Sequence, residues 1–241
     1  MDQSTANRFD YLLMLGDSSL ILGHRLGEWC GHGPVLEEDI GLINVALDLI
    51  GLSRNLLTYA GQIEGKGRDE DALAYLRDAG EFRNTLLTEQ ENGDFARTML
   101  RQFFFDVYAD LLYRGLSVSC YGQLAGIAQK AVKEMDYHLR HSTQWIYRLG
   151  DGTEESRRRT QEALDELWMF TGDLFETTDG DRELAAEGWA VAPESVKNDW
   201  TQRVTEVLQT ATLQVPASSY SLKGSRQGRH TEVLGLSLIH I

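Results

Sequence analysis

Between two long apolar-periodic segments and two more lies 65-GKGRDEDALAYLRDAGEFRNTLLTEQENG-93, a connection of 29 residues. It is far too long for a tight turn, although 69-DEDALAYLR-77 has the composition of a short helix of its own. The other two connections are brief. Upstream, 9-FDYLLMLGDSSLILGHRLGEW-29 has helical apolar spacing and stops at 30-CGHGPVLEED-39. Gly31 and Gly33 supply the break, and Pro34 can open a new helix. A second helix is predicted from about Val35 to Gly61, with Glu37, Glu38 and Asp39 in the first turn, where the helix dipole favours them. Its apolar positions include Ile40, Leu42, Ile43, Leu47, Ile50, Leu56 and Leu57. Downstream, a third helix is predicted from about Asp94 to Ser117, capped by Asn92 or Asp94. A fourth runs from about Tyr121 to Leu149 after the short break 117-SVSC-120. Two helical hairpins joined by one long crossover is the order of a ferritin-like four-helix bundle, whereas an up-down-up-down bundle makes all three links short.

Further helical pieces follow: 154–176, then shorter ones near 181–190 and 194–213. No strand alternation of useful length occurs, and only three prolines interrupt the chain. The reading is therefore all-α. Residues 1–8 form a flexible N-terminus, 9–178 the bundle, 179–213 appended helices, and 214–241 a loop-like tail.

The 241 residues carry a formal net charge of −14. That balance argues against nucleic acid, because phosphate binding needs a basic surface. No apolar run of about 18 residues stands out, so no membrane span is expected. The acidic, polar start MDQSTANRFDYLL does not match a secretory leader. Two cysteines, Cys30 and Cys120, form neither a CxxC pair nor a disulfide framework. The expected location is cytoplasmic.

Counting outward from the two short turns puts Asp17, Asp48, Asp106 and Glu134 at one level, one from each long helix. Di-iron carboxylate bundles take a glutamate from each of two helices and Glu-x-x-His from each of the other two. Here Asp48-Leu-Ile-Gly51 has glycine at the histidine place, and Glu134-Met-Asp-Tyr137 has tyrosine. His138 falls one residue too far, about 40° past Glu134 from the helical period. The acidic level is kept without its nitrogen ligands, as a vestigial metal site. Carboxylates buried without metal cost several kcal/mol unless compensated. Lys130 and His138, one turn either side of Glu134, and His24, two turns from Asp17, are the candidate partners. A partial metal site and an ordinary solvated arrangement are the alternatives.

The stretches 20-LILGHRLGEWCGHGPVLEEDIGLINVALDLIG-51, 92-NGDFARTMLRQFFFDVY-108, 134-EMDYHLRHSTQW-145 and 148-RLGDGTEESRRR-159 closely resemble the PaaC-type subunits of ring-1,2-phenylacetyl-CoA epoxidases. The resemblance covers roughly residues 9 to 232. It implies a non-catalytic structural subunit of a bacterial multicomponent monooxygenase of phenylacetate catabolism. By the same resemblance the di-iron centre belongs to a sister PaaA-type subunit, which also binds the CoA thioester. A separate reductase with flavin and an iron–sulfur cluster brings electrons from NADPH. No cofactor is then expected in this chain itself. After 227-QGRHTE-232 the family pattern continues with a histidine, where this chain has Val233, and residues 233–241 depart from it.

Trp29, Tyr108, Tyr113, Trp145 and Trp168 are candidate interface anchors, with core packing as the competing role of each. Two other functions compete with the structural one. The first is a stand-alone di-metal oxidase, which the missing Glu-x-x-His pairs oppose. The second is a CoA-ester-binding module using Lys223, Arg226 and Arg229, for which a solvated basic tail is the simpler account.

Overall fold

The structure is a computed structural model and describes residues 1–218 and 220–238. Among these residues there is no strand, and the chain is all-α. Four long helices dominate: α1 (Gln3–Gly27), α2 (Leu36–Glu64), α4 (Phe95–Leu116) and α5 (Gly122–Gly150). The short helix α3 (Glu70–Tyr75) lies inside the crossover, capped by the Asp69 carboxylate. Helix α1 starts earlier than expected. Asp2 accepts a hydrogen bond from the Thr5 amide and caps it, so residues 3–8 are helical.

Contacts between the helices follow opposite chain directions. A Cβ on Gly16 would meet Leu57, and one on Gly23 would meet Ile50 and Ala46, so α1 and α2 run antiparallel. Likewise Arg114 pairs with Asp136, while Asp106 reaches Ser142, so α4 and α5 are antiparallel. The seam between hairpins joins α2 to α5 through Asp48–His138 and Glu38–His141. Gly65 ends α2 in the left-handed region, at φ +70°, and turns the chain into the crossover. Gly61 has no space for a side chain: a Cβ there would stand 2.2 Å from the Arg68 carbonyl oxygen.

The core is one cluster that draws on every long helix and on the C-terminal pieces. Beyond α5 come α6 (Glu154–Leu167), α7 (Asp179–Ala186), α8 (Lys197–Thr210) and α9 (Glu232–Leu238). The predicted helix over 154–176 stops being α-helical at Leu167 and continues as a 3-10 segment, Trp168–Phe175. Trp200 of α8 packs on Phe104 and donates to its carbonyl at 2.9 Å.

Two expectations need correction. Among the described residues, the region after 214 is loop-like up to Gly224 and keeps Lys223 and Arg229 exposed, but it is not solvated throughout. Arg226 is buried and pairs with Asp181 at 2.7 Å and Asp10 at 2.9 Å, and Leu234 of α9 is fully buried. Of the divergent end, residues 239–241 lie outside the described residues. In addition, α2 is long and apolar enough, by length and composition alone, to cross a membrane. It is apolar on two faces. Leu42, Val45, Leu49, Leu52 and Leu56 fill the core, while Leu36, Ile40 and Leu47 face outward.

Candidate functional site

The four carboxylates of the predicted level are stabilised in different ways. Asp17 of α1 is fully buried, and both its oxygens are taken by Arg77, one at 3.0 Å. The Arg83 amide adds a third bond at 2.8 Å. Arg77 comes from the crossover, where its guanidinium also reaches the Leu73 and Glu81 carbonyls and lies 4.3 Å from the Phe82 ring centroid. The cation beside Asp17 is therefore an arginine from the loop. His24 does not serve there: its Nδ1 is buried without a partner, and burial lowers its pKa.

Asp106 of α4 is also fully buried, but it has no cation. Gln102 donates to one oxygen at 2.6 Å, and the Ser142 hydroxyl lies 2.7 Å from the other. Burial raises its pKa to about 8, against the pull of Ser142 and Gln102. A neutral carboxyl suits the geometry. Its O–H can donate to Ser142, whose own hydroxyl is 3.3 Å from the Leu139 carbonyl.

The other two carboxylates lie on the α2–α5 seam. Glu134 sits 3.3 Å from Lys130. Burial raises its pKa; Lys130 opposes that rise and nearby Asp48 adds to it. Asp48 is partly exposed and accepts from His138 Nε2 at 3.1 Å. So His138 pairs across the seam with Asp48 rather than along its own helix with Glu134. Burial lowers the His138 pKa against the pull of Asp48, which fits a neutral ring donating Nε2–H. Tyr137 is 42% exposed and stacks on His141, and Gly51 faces open space.

A di-iron group does not fit these residues. The Asp17 oxygens are committed to Arg77, and Gly51 and Tyr137 offer no imidazole. Among the described residues no cluster of three or more His, Cys, Asp or Glu could hold a metal ion.

Sequence reasoning did not find Arg77, Gln102 or Ser142. Arg77 carried no periodic signal because it belongs to an irregular loop. Gln102 did carry one, since it sits one turn before Asp106 on the same helix. The five aromatic candidates pack within this chain. Tyr108 and Tyr113 are buried, Trp29 and Trp145 both stand edge-on to Phe95, and Trp168 packs on Phe104 and Trp200. Trp145 also donates to Glu38 at 2.7 Å.

The model of the family described as phenylacetic acid catabolic protein matches residues 1–240. The chain belongs to that family. It is 47% identical over 235 residues to a 1,2-phenylacetyl-CoA epoxidase subunit of Escherichia coli (strain K12), a match covering 98% of this chain and 93% of the relative. The family resemblance carried by residues 20–51, 92–108, 134–145 and 148–159 holds over the whole chain.

Proposed function

We propose that this chain is a structural subunit of a 1,2-phenylacetyl-CoA epoxidase acting in aerobic phenylacetate catabolism. Its fold is the ferritin-like one, with two hairpins and one long crossover. It pairs with a di-iron catalytic subunit that epoxidises the CoA-activated aromatic ring, and it supports that subunit without performing the chemistry. A flavin and iron–sulfur reductase using NADPH completes the enzyme, which works in the cytoplasm.

The observation that carries this reading is how the acidic level is neutralised. Each carboxylate already has a protein partner: Arg77 for Asp17, Gln102 and Ser142 for Asp106, Lys130 for Glu134, and His138 for Asp48. A buried carboxylate is tolerated when it is paired or neutral, and here both solutions occur without an ion. The near full-length similarity to a protein named as one subunit of an epoxidase supports the assignment to an assembly.

Metal analysis of the separately purified chain, after exposure to ferrous iron, tests it. Iron well below one equivalent is expected, and the chain should co-purify with a catalytic subunit. About two irons per chain with oxygen-dependent turnover would overturn the structural role and favour a stand-alone di-metal oxidase. The CoA-ester-binding alternative is weakened by Arg226, which is buried and turns its Nη2 to Asp10 and Asp181 inside the fold.

A further inference from the structure

The outward face of α2 is used neither by the core nor by the carboxylate level. Leu36, Ile40 and Leu47 are 71%, 53% and 60% exposed. Their spacing of four and seven residues stacks them on one stripe, opposite the buried face of the same helix. With half-buried Ile43 beside them, these side chains make an exposed aliphatic row along one side of α2.

Across the seam, α5 presents a basic edge. Its ion pairs are Lys130–Glu134 and Asp136–Arg114, while His138 and His141 hydrogen-bond to Asp48 and Glu38. Exposed Lys133, Arg140 and Arg148 are left without an ion pair among the described residues. Arg140 lies over the exposed Tyr137 ring, and Arg148 over Trp145. An unneutralised cationic edge is unexpected in a chain of net charge −14.

We propose that this face, the α2 stripe bordered by the α5 basic edge, is the docking surface for a different subunit of the same enzyme, one that meets it with an apolar helical face edged by carboxylates. The proposal rests on the subunit reading above. Charge selects the occupant. With its two-fold axis running across the helices, a second copy would set the α5 cationic edge against the same edge of its partner. An acidic edge on a different chain complements the α5 cations and speeds encounter.

The test mixes the purified full-length chain with the purified catalytic subunit and follows association by sedimentation velocity. The Ile40→Asp/Leu47→Asp variant is expected to bind at least about tenfold more weakly. Lys133→Glu/Arg140→Glu should also bind more weakly and lose most of the salt dependence. Val118→Asp, at an exposed apolar position on the α4–α5 turn, should bind as the parent does. Hydroxyl-radical footprinting of the unmodified complex gives a readout independent of variant folding, with Leu36, Ile40, Leu47 and Tyr137 protected. If the unmodified chains associate but the variants bind unchanged and these residues stay reactive, the docking surface is wrong and the subunit role stands. If the unmodified chains do not associate at all, the subunit reading itself fails. A dimer of the isolated chain that Ile40→Asp/Leu47→Asp splits would make a second copy the occupant. Flotation with phosphatidylglycerol vesicles, lost in the same variant, would make it a lipid surface. Either result overturns the proposal.

Discussion

Asp17→Asn is the sharpest probe of how the acidic level is held together. The Asp17 and Arg77 side chains are 0% and 2% exposed, so water cannot take over from either partner. Asparagine keeps the size of the side chain and removes its charge. It leaves the Arg77 guanidinium buried with the Leu73 and Glu81 carbonyls and the Phe82 ring, but no anion. Breaking a buried pair by removing one partner costs about 3–5 kcal/mol. For a chain of this size that lowers the melting temperature by roughly 6–20 °C. Urea unfolding followed by circular dichroism measures the loss directly. The Asp17→Asn/Arg77→Met double variant removes both charges and should recover much of it, with a coupling energy of at least about 2 kcal/mol. A single-variant loss under about 1 kcal/mol, or additive single effects, would refute the claim that Arg77 is the counter-ion at this level. Stabilisation of the parent chain by ferrous iron, absent in Asp17→Asn, would show that metal and not arginine is its partner.

Three further outcomes are expected. The Asp106 carboxyl titrates near 8 when folded, so the folded chain holds its proton where the unfolded chain has released it. Stability should therefore fall as pH rises from about 4 through about 8, by a few kcal/mol, and Asp106→Asn should flatten that slope in urea titrations across the range. His230 bonds to Glu89 at 2.8 Å and to the Phe82 carbonyl at 3.0 Å, two acceptors that together call for a protonated ring. Burial lowers its pKa, but Glu89 and the Phe82 carbonyl outweigh that and raise it above 6.5. Its contribution is complete below about pH 6.5 and is lost as pH rises through the raised value. The stability gap between the parent and His230→Gln, about 1–2 kcal/mol at pH 6, should shrink by pH 8.5; a constant gap would count against the protonated latch. Gly61→Ala should cost about 1–3 kcal/mol in thermal unfolding, because its Cβ would press on the Arg68 carbonyl.

Local chemistry explains what was readable. One helix start followed from its capping residue: Asp94 accepts from the Arg97 amide, whereas the Asp2 cap of α1 went unread. The two short links and the long one were visible as breaks in apolar periodicity, which is a one-dimensional signal. The outward stripe of α2 was also present in the sequence, at 36, 40 and 47. It was masked because the same helix carries a second apolar face, and periodicity alone does not say which of two faces meets a core.

Residue spacing alone was enough for an all-α chain of four long helices, with glycine and tyrosine where a di-iron bundle needs imidazoles. Both are properties of spacing along one helix, set by a period of 3.6 residues. Lys130 for Glu134 and Gln102 for Asp106 are one turn away on the same helix, but the other partners came only with the closed fold. Arg77 reaches Asp17 from 60 residues away, Ser142 reaches Asp106 from 36, and His138 reaches Asp48 from 90. Helical periodicity says nothing about partners at such distances. They are selected by packing and by the cost of leaving a buried charge alone, and both arise only once the helices have closed around it.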